Sequence, residues 1–116
     1  MSEPGDGVTA VEFGRVDVRV GRVVEARPFP EGRHSTHVLL VDFGPGLGVR
    51  KSLARLAPNY GGGELAGRLV LAVVNLPPRQ IGGHRSDVLT LGVPDAAGNV
   101  VLIRPDAAVP LGGRLF

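Results

Sequence analysis

Apolar runs in this sequence never go far before a glycine or proline cuts them, and that punctuation favours short strands joined by turns. Eighteen glycines and ten prolines stand among 116 residues. Val16-Asp-Val-Arg-Val20 alternates apolar and charged residues, the mark of a half-buried strand. Gly21 interrupts it, and Arg22-Val-Val-Glu-Ala26 resumes in altered phase, which predicts a bulge or sharp bend at the glycine. Pro28, Pro30 and Gly32 then form a loop. A second strand is predicted over 37–43, where Val38-Leu-Leu-Val41 is apolar throughout and so buried on both faces or nearly so.

Gly44-Pro-Gly-Leu-Gly48 supplies a turn into a third strand over 49–53. Residues 53–60 have room for one short helix or turn, ended by Pro58 and Gly61-Gly-Gly63. A fourth strand over 69–75 stops at Pro77-Pro78, a fifth runs over 88–91 and a sixth over 100–103. Six short strands with one helix between the third and fourth describe an all-β chain built on a five-stranded OB-type barrel. The whole of 1–116 reads as a single domain, with 1–11 a flexible lead-in and 93–116 an extension forming a hairpin outside the barrel. The extension carries Val100, Val101, Leu102, Ile103, Leu111, Leu115 and Phe116, too apolar to lie on solvent. A homodimer that uses the terminal extensions is therefore expected, and 43% hydrophobic residues is generous for so small a core.

There is no cysteine, which excludes disulfides, thiolate nucleophiles and cysteine-based zinc sites and is compatible with a reducing cytoplasm. The first residues are acidic and rich in breakers, unlike a signal peptide, and the apolar run 69–74 is far too short to span a bilayer. The expectation is a cytoplasmic protein without a membrane span. The calculated pI of 9.9 overstates the charge, which is only +2, because all but one of the cations are Arg. Distribution carries more information: Arg50, Lys51 and Arg55 cluster, as do Arg79, His84 and Arg85.

His34 and His37 have a spacing that invites a metal, but in a strand it points the rings to opposite faces, and surface histidines are the better account. Gly44-x-Gly-x-Gly48 leads into a strand, so it lacks the helix terminus of a phosphate loop. Ser52 and Ser86 lie in no nucleophile elbow, and the eleven acids are scattered, so no catalytic constellation, metal or cofactor is expected. In Asn75-Leu-Pro-Pro-Arg-Gln-Ile-Gly-Gly-His-Arg-Ser86 two prolines stiffen a loop dense in donors. That suits recognition of phosphates and sugar edges, and it equally suits a polar loop stiffened for stability. With four Phe, one Tyr and no Trp, stacking along an unpaired strand is disfavoured against recognition of a folded RNA through backbone and shape.

Phe13-Gly-Arg-Val-Asp-Val-Arg-Val-Gly21, Val41-Asp-Phe-Gly44, Val73-Val-Asn-Leu-Pro-Pro-Arg-Gln-Ile-Gly82 and Ser86-Asp-Val-Leu-Thr-Leu-Gly92 together resemble the tRNA-binding domain family. The double proline after Asn75 and the Ser86-Asp-Val-Leu form are similar to its free-standing members, the CsaA-type secretion chaperones. The resemblance implies an OB fold, a homodimer and non-catalytic binding of tRNA or other structured RNA. For CsaA-type members it also implies an export chaperone that binds unfolded or signal-bearing polypeptides. It places Lys51 and Ser52 on the binding face and Asn75, Arg79 and Ser86 beside it, and the charge clusters add Arg55 and Arg85. Leu53 and Arg55 depart from the family, which commonly has a small or polar residue and a Gln there.

Overall fold

The computed structural model describes residues 3–30, 32 and 34–116; Met1 and Ser2 of the lead-in, and Glu31 and Arg33, lie outside them. The longest element is β1 (Val18–Pro28), and it sits at the centre of a five-stranded antiparallel sheet. Its first half pairs with β4 (Leu69–Val73) and its second half with β2 (His37–Asp42). β2 in turn pairs with β3 (Val49–Ala54), as expected for a hairpin over Gly44–Gly48, and both of those glycines take positive φ. Two short hairpins, β5 (Arg79–Ile81) with β6 (His84–Ser86) and β8 (Gly92–Pro94) with β9 (Val100–Leu102), flank β7 (Leu89–Thr90), the fifth strand of the sheet.

The sheet curls until its edges meet. Asp87 donates its backbone N–H to Lys51 O at 2.8 Å, and the Ser52 and Thr90 hydroxyls lie 2.8 Å apart. The resulting strand order, β3-β2-β1-β4-β7, is that of the expected OB barrel. Cross-strand partners share a face, so Gly21 with Val70, Val23 with Val41 and Ala26 with Leu39 all point inward. Phe43, Leu56, Tyr60, Leu65, Val88 and Leu102 complete the core.

The bend expected at Gly21 lies three residues later. The β1–β2 register shifts between Val23 and Glu25, so the bulge falls at Val24 and returns Ala26 to the inner face. Gly21 serves another purpose: a Cβ built there would sit 2.4 Å from Val41 Cγ1 and 2.8 Å from Phe43 Cε1. The glycine is what lets β1 lie close against the core.

The helix expected between β3 and β4 is absent; that segment forms turns. Pro58 and three consecutive glycines deny it a helical run, and Leu56, Tyr60 and Leu65 plug the barrel end without one. Thr36 organises it. Its Oγ1 accepts the N–H groups of Leu56 (2.8 Å) and Ala57 (3.0 Å), so its own proton goes to His37 Nδ1 at 2.8 Å. That leaves the proton on Nε2, 3.3 Å from Gly61 O. His37 is thus a buried structural residue, not the surface histidine expected.

Among the described residues the one α-helix is α1 (Ala10–Gly14), which begins within the last two residues of the stretch expected to be a flexible lead-in and runs past its end. Thr9 and Glu12 close a capping box around its first turn. α1 buries none of its residues, yet it is tied down: Asn75 donates to Arg15 O at 2.7 Å and accepts from Asp17 N at 2.9 Å. The 75–86 segment is likewise more ordered than the expected loop, because Gly82, at φ 58°, turns β5 into β6.

The C-terminal extension does form a hairpin, but it is not wholly outside the barrel. Leu102 is a core residue, and its N–H donates to the Tyr60 hydroxyl at 3.0 Å. Beyond it, Gly112, Gly113 and Leu115 hydrogen-bond the β1 edge at Val18 and Val20, where β2 has already left. Asp17 clasps this junction through Arg19 (2.6 Å) and Arg114 (3.5 Å), and Arg114 also donates to Gly14 O at 2.7 Å.

Two outcomes follow from this packing. Gly21→Ala forces a methyl into Val41 and Phe43, so urea unfolding is expected to show a loss of about 1–3 kcal/mol; unchanged stability would mean the core yields there. The Arg19 hydrogen bond, helped by the charges of Arg19 and Arg114 and opposed by burial, holds the Asp17 carboxyl below its ordinary range. A depressed carboxyl stabilises the fold above its unfolded pKa and loses that contribution as pH falls through the folded one. Amide exchange at Gly112 and Leu115 is therefore expected to accelerate, beyond its intrinsic pH trend, as pH drops below about 4. Asp17→Asn removes that dependence.

Candidate nucleic-acid interface

The seven residues singled out from the sequence separate into two groups. Ser52 faces the barrel interior with no exposed surface, its hydroxyl shared with Thr90 Oγ1 and Val88 O. Asn75 spends both ends of its amide on Arg15 and Asp17, at the α1 side of the barrel. Ser86 accepts the Leu53 N–H at 3.0 Å and donates to Val88 O at 3.1 Å. All three are placed as closures of the fold.

Lys51, Arg55, Arg79 and Arg85 remain as cations on the outside. Lys51 sits on the outer face of β3 with Nζ 3.4 Å from His84 Nδ1, and the His84 ring meets Phe29 edge-on at 5.1 Å. Arg85, on β6, is exposed and pairs with Asp87 at 3.0 Å. Arg55 leaves the end of β3 and Arg79 opens β5; both are exposed, and among the described residues neither makes an ion pair.

Arg55 and Arg79 share a groove of about 650 Å³ that β3, the β5–β6 hairpin, β7 and the β8–β9 hairpin enclose. Its floor is aliphatic, from Leu53, Ile81, Leu89, Val93 and Leu102, with His34 and Ser35 at one side. Among the described residues no acidic side chain lines it. The nearest acid in sequence, Asp95, is turned to other work. The Asn59 amide first, then the N–H groups of Asn99 and Ala97, hold its carboxyl below the ordinary range. Asn59 also donates to Val100 O, which ties the β8–β9 hairpin to the turns after β3.

Leu53, one of the two departures from the family pattern, has a structural account. With Phe29 and Val38 it forms a small second core on the outside of β2 and β3, and Ile81 packs on it. That contact seats the β5–β6 hairpin, and with it Arg79, over the barrel. Arg55, the other departure, adds charge to the groove. Leu89 escaped the sequence reading because an apolar residue in a strand reads as core, Ile81 because it stands in a loop dense in polar donors, and Val93 because it opens the C-terminal extension; 45% exposure for Leu89 and 50% for Val93 are visible only in the fold. Among the described residues no cluster of three or more His, Asp or Glu could hold a metal, and no helix is long and apolar enough to cross a membrane.

Comparison with known proteins bears on this geometry. Methionine–tRNA ligase of Porphyromonas gingivalis is 34% identical over 104 residues, which is 90% of this chain and 15% of the ligase. The chain thus spans only a small part of the curated relatives it matches. Among solved structures, chaperone CsaA of Bacillus anthracis str. Ames superposes with a TM-score of 0.87 at 38% identity, covering 96% of this chain and all of that one. The MetRS related protein of Pyrococcus horikoshii superposes at 0.83 with 28% identity, covering 97% of this chain and all of that one. The family model of the tRNA binding domain matches residues 18–114, from the first residue of β1 to the tail that pairs with it, and the chain belongs to that family.

Proposed function

We propose that this protein is a non-catalytic, cytoplasmic binder of structured RNA, tRNA first, and that it acts as a homodimer. The observation that carries the RNA reading is the groove rimmed by Arg55 and Arg79, in which no acid lies among the described residues, with Lys51 and the Asp87-paired Arg85 on the strands beside it. Arg55 and Arg79, which make no ion pair among the described residues, can replace the counterions of a phosphate backbone. The β5–β6 hairpin, seated by Leu53 and Ile81, presents Arg79 from a fixed platform, which suits a ligand whose backbone is itself folded.

A second reading has its own support. The floor of the groove is apolar, and the CsaA chaperones superpose on this chain over nearly all of its length. An export chaperone holding unfolded or signal-bearing polypeptide would use the aliphatic floor and leave the rim largely idle.

The dimer rests on apolar surface that the monomer leaves open. Phe13 on α1 is 50% exposed and Phe116 fully so, and with Val16 and Leu115 they line one concavity beside the tail. A partner subunit would cover both terminal extensions at once.

Titrating the protein with bulk tRNA, a single-stranded oligonucleotide and an unfolded peptide at two salt concentrations separates the readings. tRNA is expected to bind best at low salt, with a log–log slope of about −2 to −4 for three to five phosphate contacts. Arg79→Glu and Lys51→Glu are each expected to weaken it at least tenfold, about 1.4 kcal/mol, with thermal melts confirming the fold. Tight peptide binding without salt-sensitive tRNA affinity would favour the chaperone. For the dimer, sedimentation at micromolar concentration should return twice the 12.1 kDa chain mass. Phe13→Ser with Phe116→Ser should lower it toward one chain, whereas a monomeric parent protein would dismiss the dimer.

A further inference from the structure

The phosphate-neutralising rim does not by itself explain the groove. A fully paired RNA helix offers a protein phosphates, riboses and the edges of stacked bases, none of which fills an aliphatic cleft. Yet the floor here is Leu53, Ile81, Leu89, Val93 and Leu102, and two of these, Leu89 and Val93, are about half exposed. Leaving such residues open costs solubility, so an occupant with an apolar body is called for. The cations restrict its chemistry further: Arg55 and Arg79 come from different elements, no acid among the described residues lines the walls, and the occupant must carry negative charge beside its apolar part. A volume of about 650 Å³ lies in the range of pockets that enclose a small molecule.

We infer that the groove receives one unpaired nucleotide turned out of a folded RNA, with its base on the aliphatic floor and its phosphates at Arg55 and Arg79. The inference rests on the RNA-binding reading above and assigns that site its ligand class. A nucleotide is flat and largely apolar in the base, anionic in the backbone, and available wherever a helix is interrupted by a bulge, loop or end. Among the described residues no Phe, Tyr or Trp lines the groove and His34 is its one aromatic ring, so the base is held mainly by burial, and discrimination among the four bases should be slight. An acidic or signal-bearing peptide would also bring charge and apolar surface. Its extended backbone would need hydrogen-bond partners along the cleft, whereas the floor is lined by aliphatic side chains.

The experiment compares three synthetic RNAs: a blunt duplex, the same duplex with one bulged nucleotide, and that bulge made abasic so that the ribose and phosphate stay while the base is gone. The base-bearing bulge is expected to bind about tenfold tighter than the other two, the amount that burial of one base face contributes. Leu89→Thr combined with Val93→Thr, which leaves β-branched residues suited to strands at both positions, is expected to erase that difference, with circular dichroism and thermal melts confirming the barrel. Equal binding of the abasic and base-bearing bulges, or a preference that survives the double substitution, would overturn the inference. If tRNA binds with the expected salt slope while the three duplexes bind alike, this inference fails and the RNA-binding reading stands. If none of the RNAs binds, both fail. Tight capture of an unfolded peptide, lost on the same double substitution while the RNAs bind alike, would assign the groove to polypeptide and sink the nucleotide.

Discussion

One strand has more edge than any single neighbour can satisfy, and the rest of the molecule is arranged around that fact. β1 runs eleven residues, Val18–Pro28. β4 takes one edge of its first half and β2 the opposite edge of its second. The stretch of edge that β2 leaves bare would carry unpaired backbone groups in a barrel otherwise nearly closed. Gly112, Gly113 and Leu115 fill it, and Asp17, Arg19, Arg114 and Asn75 hold tail and α1 against that corner. The terminal segments are therefore parts of the sheet's closure.

The strand framework was legible because its signals are local. Alternation in 16–20, the apolar run 38–41, the glycine turn after Phe43 and the stop at Pro77-Pro78 each act within a few residues, and each element formed where they point. Where the reading missed, the deciding partner was remote. Gly21 looked like a bend because nothing in its neighbours reveals Val41 and Phe43 closing on it from β2. The segment after β3 had room for a helix or a turn, and its turns are tied to Thr36, some twenty residues earlier, which accepts the N–H groups of Leu56 and Ala57. α1 is the exception: Thr9 and Glu12 stand in capping-box spacing, a local signal that the breakers before it obscured.

The candidate site was half legible for the same reason. Sequence marks which residues are polar, and it does not say whether that polarity is spent inside the fold. Ser52, Asn75 and Ser86 stand at the positions the family resemblance assigns to binding, and each has hydrogen-bond partners within the chain. Arg55 and Arg79, separated in sequence by β4 and its flanking turns, meet at one groove because Leu53 anchors the β5–β6 hairpin on the barrel wall. A residue that departs from the family pattern thus sets where the cations stand.

The edge of β1 also has a consequence in time. On the ribosome β1 is made well before Leu102 of the core and the 112–115 edge segment that pairs with it. Every pairing that completes the barrel joins residues distant in sequence, so little of the loop-closure entropy is repaid until nearly the whole chain has emerged. An apolar strand with open edges must wait through that interval, exposed to pairing with any neighbour. A second copy arriving early would meet that waiting edge, which makes the order of synthesis itself a hazard this topology has to survive.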